Sequence, residues 1–123
     1  MVTRSDCEVH KHVTTLRFSK DWSQQQLDDI RAGEQLEIEY DPERLPACRA
    51  SYRGQPAWNI AAYVRFHPGG EEKSGSVSTK PLRLDVPSGA TSVELWFQNS
   101  DNTGCVAWDS RFGQNYWFDV QPA

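Results

Sequence analysis

The stretch W-N-I-A-A-Y-V-R-F-H, from Trp58 to His67, is the longest alternating segment of the chain. Trp58, Ile60, Ala62, Val64 and Phe66 fall on one phase, and Asn59, Ala61, Tyr63, Arg65 and His67 on the other. A period of two sends successive side chains to opposite faces of an extended strand. One face is therefore apolar and meets a core, while the other faces outward, as in an antiparallel sheet.

The same rhythm continues on both sides. Val9 to Phe18 alternates with a slip near Thr14 and Thr15 that predicts a bulge. Leu36, Ile38 and Tyr40 alternate with Glu37, Glu39 and Asp41, until D-P-E-R-L-P ends the strand with prolines that a sheet interior does not accept. The segment H-P-G-G-E-E-K-S-G-S after Phe66 reads as a polar turn or mobile loop. Leu82, Leu84 and Val86 form a short strand, Val93, Leu95 and Phe97 another, and Tyr116, Phe118 and Val120 the last.

Only Lys20 to Gly33, K-D-W-S-Q-Q-Q-L-D-D-I-R-A-G, has helical character. Ser23 with Gln26 fits a capping box, Leu27 and Ile30 lie three apart, and Gly33 stands where a helix would end. It is either one or two turns of helix or an ordered loop. The expected fold is all-β, an antiparallel immunoglobulin-like β-sandwich of about 6–8 strands with at most one short helix, in one domain spanning residues 1–123.

Acidic residues outnumber basic ones, 17 to 13, for a net charge of −4, and no basic run interrupts that balance. Nucleic acid is not an expected partner. No apolar stretch is long enough for a membrane span, and the first dozen residues hold no apolar signal region, which favours a cytoplasmic protein over an excised or mature domain. Cys7, Cys48 and Cys105 are widely spaced and form no C-x-x-C pair. Cys48 and Cys105 would pair only if they lie on facing loops; buried free thiols are the expectation.

Sorting the aromatic residues by strand phase separates two groups. Trp58, Phe66, Phe97, Tyr116 and Phe118 fall on the core phase, whereas Tyr63, Trp96 and Trp117 fall on the outward phase among charged and amide residues. Outward indoles on neighbouring strands would form a flat apolar platform on which a sugar ring can stack, with nearby amides and carboxylates for its hydroxyls.

The run from Val86 to Val120 ends in W-D-S-R-F-G-Q-N-Y-W, Trp108 to Trp117, with a strand and a polar turn before it. This ending resembles the carboxy-terminal half of starch- and glycogen-binding modules of the immunoglobulin-like type. Trp108, Asp109, Gly113, Asn115 and Tyr116 match that family's W-D-N-N-x-G-x-N-Y, while Ser110 and Arg111 replace its two Asn. The front of the chain, with L-E-I-E-Y-D-P-E-R-L-P-A-C-R and P-A-W-N-I-A-A-Y-V-R-F, is similar to an uncharacterised bacterial domain family that carries the same ending. The resemblance implies a sandwich that binds an α-glucan or another oligosaccharide. Read by physics alone, the motif is a corner: Gly113 supplies a positive φ, Trp108 folds over the sandwich end, and Asp109 ties loops together through Arg111, Arg49 or Arg44.

Catalytic patterns are thin. There is no G-x-S-x-G, phosphate loop or dinucleotide fingerprint. His10, His12 and Glu8 share a strand phase and would hold a metal only with further ligands. Asp101, Asn102 and Asp109 offer oxygens for calcium without a recognisable calcium signature, so no cofactor is expected. Cys48 beside Arg49 has a cation but no local base.

The expected function is non-catalytic carbohydrate binding by stacking and hydrogen bonding. Trp96 and Trp117 are the stacking residues, with Trp22 and Tyr63 in reserve, and Asp109, Gln114 and Asn115 make the polar contacts. The alternatives are a protein-interaction or homo-oligomerisation domain using the same aromatics, and a hydrolase whose Asp and His residues meet only in the fold.

Overall fold

The computed structural model describes residues 12–123. Its strands are β1 (Val13–Phe18), β2 (Gln24–Gln26), β3 (Ile30–Arg31), β4 (Gln35–Tyr40), β5 (Ser51–Tyr52), β6 (Gln55–Pro56), β7 (Trp58–His67), β8 (Glu72–Ser76), β9 (Leu82–Asp85), β10 (Ser92–Asp101), β11 (Val106–Asp109) and β12 (Tyr116–Gln121). The only helical element among the described residues is a 3-10 turn at Pro42–Arg44.

Two sheets face each other. One has the order β2-β1-β4-β9, and the other β3-β12-β10-β7-β8 with β11 also paired to β10. The alternation that marks β7 in the sequence buries Ile60, Ala62, Val64 and Phe66, and these meet Leu16, Phe18, Leu36, Ile38 and Tyr40 from the opposite sheet in one continuous core. Aromatic rings lock the sheets together: Phe97 lies 4.3 Å from Tyr40 and 4.8 Å from Phe18, centroid to centroid. Such offset contacts add to the burial of apolar area. The fold is the all-β sandwich expected from the sequence, and eight of its strands have four or more residues.

Most pairings are antiparallel, but β1 runs parallel to β4 and β12 parallel to β3. Both exceptions trace to the segment between β1 and β4, and neither is visible in a residue pattern. Residues 20–33 are extended where a short helix was an option: β2 pairs with β1 and β3 with β12. The Ser23 hydroxyl donates to Asp21 Oδ1 (2.6 Å) and so makes a local turn rather than a helix cap.

Three further expectations change. No bulge interrupts β1, whose register with β4 is continuous from Val13 to Phe18; Thr14 occupies a core position because its hydroxyl donates to the Asp29 carbonyl (2.6 Å). The polar run after Phe66 is a strand in its second half, since Glu72–Ser76 pairs with β7. Cys48 and Cys105 are not free thiols but form a disulfide. Cys7, Glu8, Val9 and His10 lie outside the described residues, and with them the amino-terminal metal reading.

The disulfide fastens a strap, residues 41–57, across the end of the sandwich. Asn99, buried in β10, donates its Nδ2 protons to the carbonyls of Leu45, Ala47 and Cys48, and the Arg49 guanidinium lies 3.9 Å from the Trp58 ring centre. A cross-link of sequence separation 57 removes chain entropy from the unfolded state equivalent to about 4 kcal/mol in the loop-closure account. Disulfides of this kind persist where the surroundings are oxidising.

Candidate functional site

The strap delivers Arg44 into the interior. The side chain is completely buried, and every N–H of its guanidinium has an acceptor. Nε donates to Asp109 Oδ2 (2.9 Å), one terminal nitrogen to the Ser19 and Ser23 carbonyls (2.9 and 3.0 Å), and the other to the Tyr116 hydroxyl (2.9 Å) and Gln24 Oε1 (3.4 Å). Asp109, equally buried, also accepts from the Tyr40 hydroxyl (2.7 Å) and the Tyr116 hydroxyl. A buried charge survives only when paired and hydrogen-bonded. Here the five arginine donors and both carboxylate oxygens are used.

The electrostatics follow from that closure. Burial alone would favour loss of the Arg44 proton, yet the hydrogen bond and charge of Asp109 hold its affinity above the usual arginine value. Tyr116 is pushed up to about 12, by burial first and then by the carboxylate it donates to. Tyr40 moves further in the same direction for the same reasons. Both phenols stay neutral and act as donors.

Above this network the surface opens. The edge of β10 is shared: β12 pairs with its first half and β11 with its second. Ser110 to Asn115 cross between these two strands, and beside the crossing lies a groove of about 550 Å³ lined mainly by Trp22, Gln24, Trp108, Ser110, Arg111 and Phe112. Asp109 and Tyr116 form its floor. Trp22 and Trp108 are each 55% exposed, and Phe112 is fully exposed. The Arg44 guanidinium sits 4.7 Å from the Trp22 ring centre, so the inner face of that indole rests on a fixed cation.

The crossing itself is strained. Arg111, Phe112 and Gly113 are successive left-handed residues, with φ of 52°, 59° and 86°. Two of them carry a Cβ, for which this region costs about 1–2 kcal/mol each. The Ser110 carbonyl holds the turn by accepting from Gly113 N–H (3.0 Å) and Asn115 N–H (2.7 Å). An exposed phenylalanine held in a disfavoured conformation has no packing to account for it; strain of this kind collects at binding and catalytic sites. Trp22 is also left-handed, at φ 69°, in the turn whose carbonyls Arg44 holds.

The residues singled out in the sequence separate into two places. Trp22 is at the groove. Asp109 is beneath it, sealed by three donors, and so orders the groove instead of contacting a ligand. Its ion pair is with Arg44, not with Arg49 or Arg111. Gln114 is exposed in the turn, where its carbonyl accepts from Trp117 Nε1 (2.9 Å). Tyr63, Trp96 and Trp117 lie on the outer face of the larger sheet, and Asn115 ends the turn that leads into β12. Trp96 is only half-buried and stacks on Tyr63 (5.8 Å, 11° between planes), while Trp117 stacks on His67 (5.0 Å, 21°).

Between those two stacks lies Glu94, which accepts from His67 Nε2 (2.9 Å) and Asn115 Nδ2 (2.7 Å). Burial works against its charge, but these bonds and the nearby Arg65 hold it below the usual glutamate value. Each indole is thus stacked on a neighbouring ring beside this carboxylate, and the Asn115 amide is already engaged. The Asp101 carboxylate, considered for calcium, instead accepts from Thr103 and Cys105 N–H groups within its own turn. No group of three or more metal-binding side chains converges among the described residues.

Trp108 and Phe112 are the exposed aromatic residues of the groove that strand phase did not single out as ligand contacts, and Gln24, Ser110 and Arg111 are lining residues missed with them. The signal was present in V-A-W-D: once Asp109 points inward, Trp108 must point outward.

A family model described as a family of unknown function, DUF6209, matches residues 3–121, and the chain belongs to that family. Comparison with curated proteins and with solved structures finds no match to either.

Proposed function

We propose that this member of a family of unknown function is a non-catalytic carbohydrate-binding domain whose site is the groove between β2, β11 and the Ser110–Asn115 turn. The observation that carries the reading is the set of three exposed aromatic side chains, Trp22, Trp108 and Phe112, around a concavity floored by a saturated Arg44–Asp109 network. Its volume lies within the range of roughly 300–1,000 Å³ usual for small-molecule sites. Aromatic walls accept the C–H faces of sugar rings, while Gln24, Ser110 and Arg111 offer groups for hydroxyls. The partial match of Trp108, Asp109, Gly113, Asn115 and Tyr116 to the ending of starch- and glycogen-binding modules supports the same class of ligand.

The chemistry of the floor favours holding over bond breaking. The carboxylate that lines the groove, Asp109, has its oxygens occupied by an arginine and two tyrosines, and among the described residues no histidine lines the groove. A preorganised floor lowers the entropy cost of fixing aromatic walls on binding. A glycan array with isothermal titration of any ligand found tests the reading. Trp108→Ala and Trp22→Ala should each abolish or weaken binding at least tenfold, and Trp96→Ala should not. Retained affinity in folded Trp108→Ala and Trp22→Ala proteins removes the groove as the site.

A further inference from the structure

Resting on the groove reading, we propose that the ligand is an acidic oligosaccharide bearing uronate carboxylates, and that Arg111 is the residue that binds the anion. Of the eight arginines among the described residues, six have a carboxylate oxygen within 4.0 Å. The exceptions are Arg53, which lies over the Tyr52 ring, and Arg111. In a chain of net charge −4, an arginine without a carboxylate among the described residues is unusual, and this one lines the groove.

Its position is also fixed. Arg111 is the first residue of the left-handed turn, and its own carbonyl accepts from Gln114 N–H (3.2 Å). The backbone at Arg111 is therefore set before a ligand arrives, which reduces the ordering cost of an ion pair. A guanidinium matches a carboxylate through two parallel N–H donors, a geometry that an ammonium lacks.

The rest of the groove agrees in sign. Asp109, the carboxylate in its lining, is neutralised by Arg44 and offers no free oxygen to a cation. Trp22 already has a guanidinium against one face. The Arg44–Asp109 pair adds no net charge, so a quaternary ammonium, the usual guest of aromatic walls, would meet the positive charge of Arg111 with no carboxylate free to offset it. A carboxylate-bearing sugar instead stacks its ring on the indoles and places its charge against Arg111.

The test compares oligomers of galacturonate, mannuronate and glucuronate with their methyl esters, which keep the ring and remove the charge. Isothermal titration at low and high salt should show at least one acid binding tenfold or more tightly than its ester, with the difference shrinking as salt rises. Arg111→Gln should erase the preference for that acid, so that acid and ester bind the variant with equal affinity. Trp108→Ala should weaken both forms. Equal binding of acid and ester, with both lost in Trp108→Ala, overturns the acidic ligand and leaves the groove as a neutral-sugar site. Binding of acids that survives Trp108→Ala and Trp22→Ala removes both readings, and an absence of binding to every acid removes the inference alone.

Discussion

Replacing Arg44 by Met is the most severe single test of how the groove is floored. The substitution keeps most of the stem volume and deletes the guanidinium that faces Asp109 at 2.9 Å with both side chains fully buried. Asp109 then remains as an interior carboxylate with only the Tyr40 and Tyr116 hydroxyls as donors, and the Ser19 and Ser23 carbonyls keep only their backbone donors, Trp22 N–H and Ser19 N–H. Breaking a buried pair from one side costs about 3–5 kcal/mol. A domain of this size has about 5–15 kcal/mol in all, so the variant should sit near its unfolding threshold. Arg44→Lys should fall between the two, since an ammonium supplies three donors where the guanidinium supplies five. The assay is urea unfolding followed by tryptophan emission, run beside Asp109→Leu and the double variant. If the pair acts as a unit, the double variant costs at least ~2 kcal/mol less than the sum of the singles. Additive losses, or an Arg44→Met penalty under ~1 kcal/mol, would refute the account of a coupled, closed network.

Two other outcomes are expected. Phe112→Gly should leave stability unchanged or raise it by about 1 kcal/mol, because glycine adopts φ 59° freely, while weakening binding at the groove; a loss above ~1 kcal/mol in thermal unfolding means the ring is structural. Stability should also decline at both pH extremes. Glu94, Asp21 and Asp101 are held below their usual values by hydrogen bonds, so their contribution is present above the ordinary carboxylate range and is lost as pH falls through the depressed folded values. Tyr116 is raised from 10.0 to about 12, so its contribution is complete below pH 10 and is lost as pH rises toward 12. A Tm curve in which Tyr116→Phe loses as much as the parent between pH 10 and 12 contradicts the alkaline half.

The sandwich was legible because alternation is a local property. Trp58 to His67 could be assigned without knowing its neighbours, and so could Leu36 to Tyr40 and Val93 to Phe97. The segment from Lys20 to Gly33 was not, because its extended form comes from pairing with β1 and β12, one of them 90 residues away at Val120. The site was less legible for a related reason. Asp109 offered three candidate arginines, and only the path of the strap selects Arg44, at a separation of 65. Trp96 and Trp117 have the expected outward phase, yet phase says nothing about what a side chain meets laterally. Tyr63 and His67 occupy those positions.

The connection between β1 and β4 has a kinetic meaning. It gives one short strand to each sheet, β2 to the smaller and β3 to the larger, before returning to pair β4 with β1. A chain laced this way cannot complete either sheet alone, and each of its parallel pairings closes across a long loop, which slows folding. Trp22 lies in the lace and rests on Arg44. Its fluorescence should therefore change in the final step, after β7 and β10 have paired and when both layers close together.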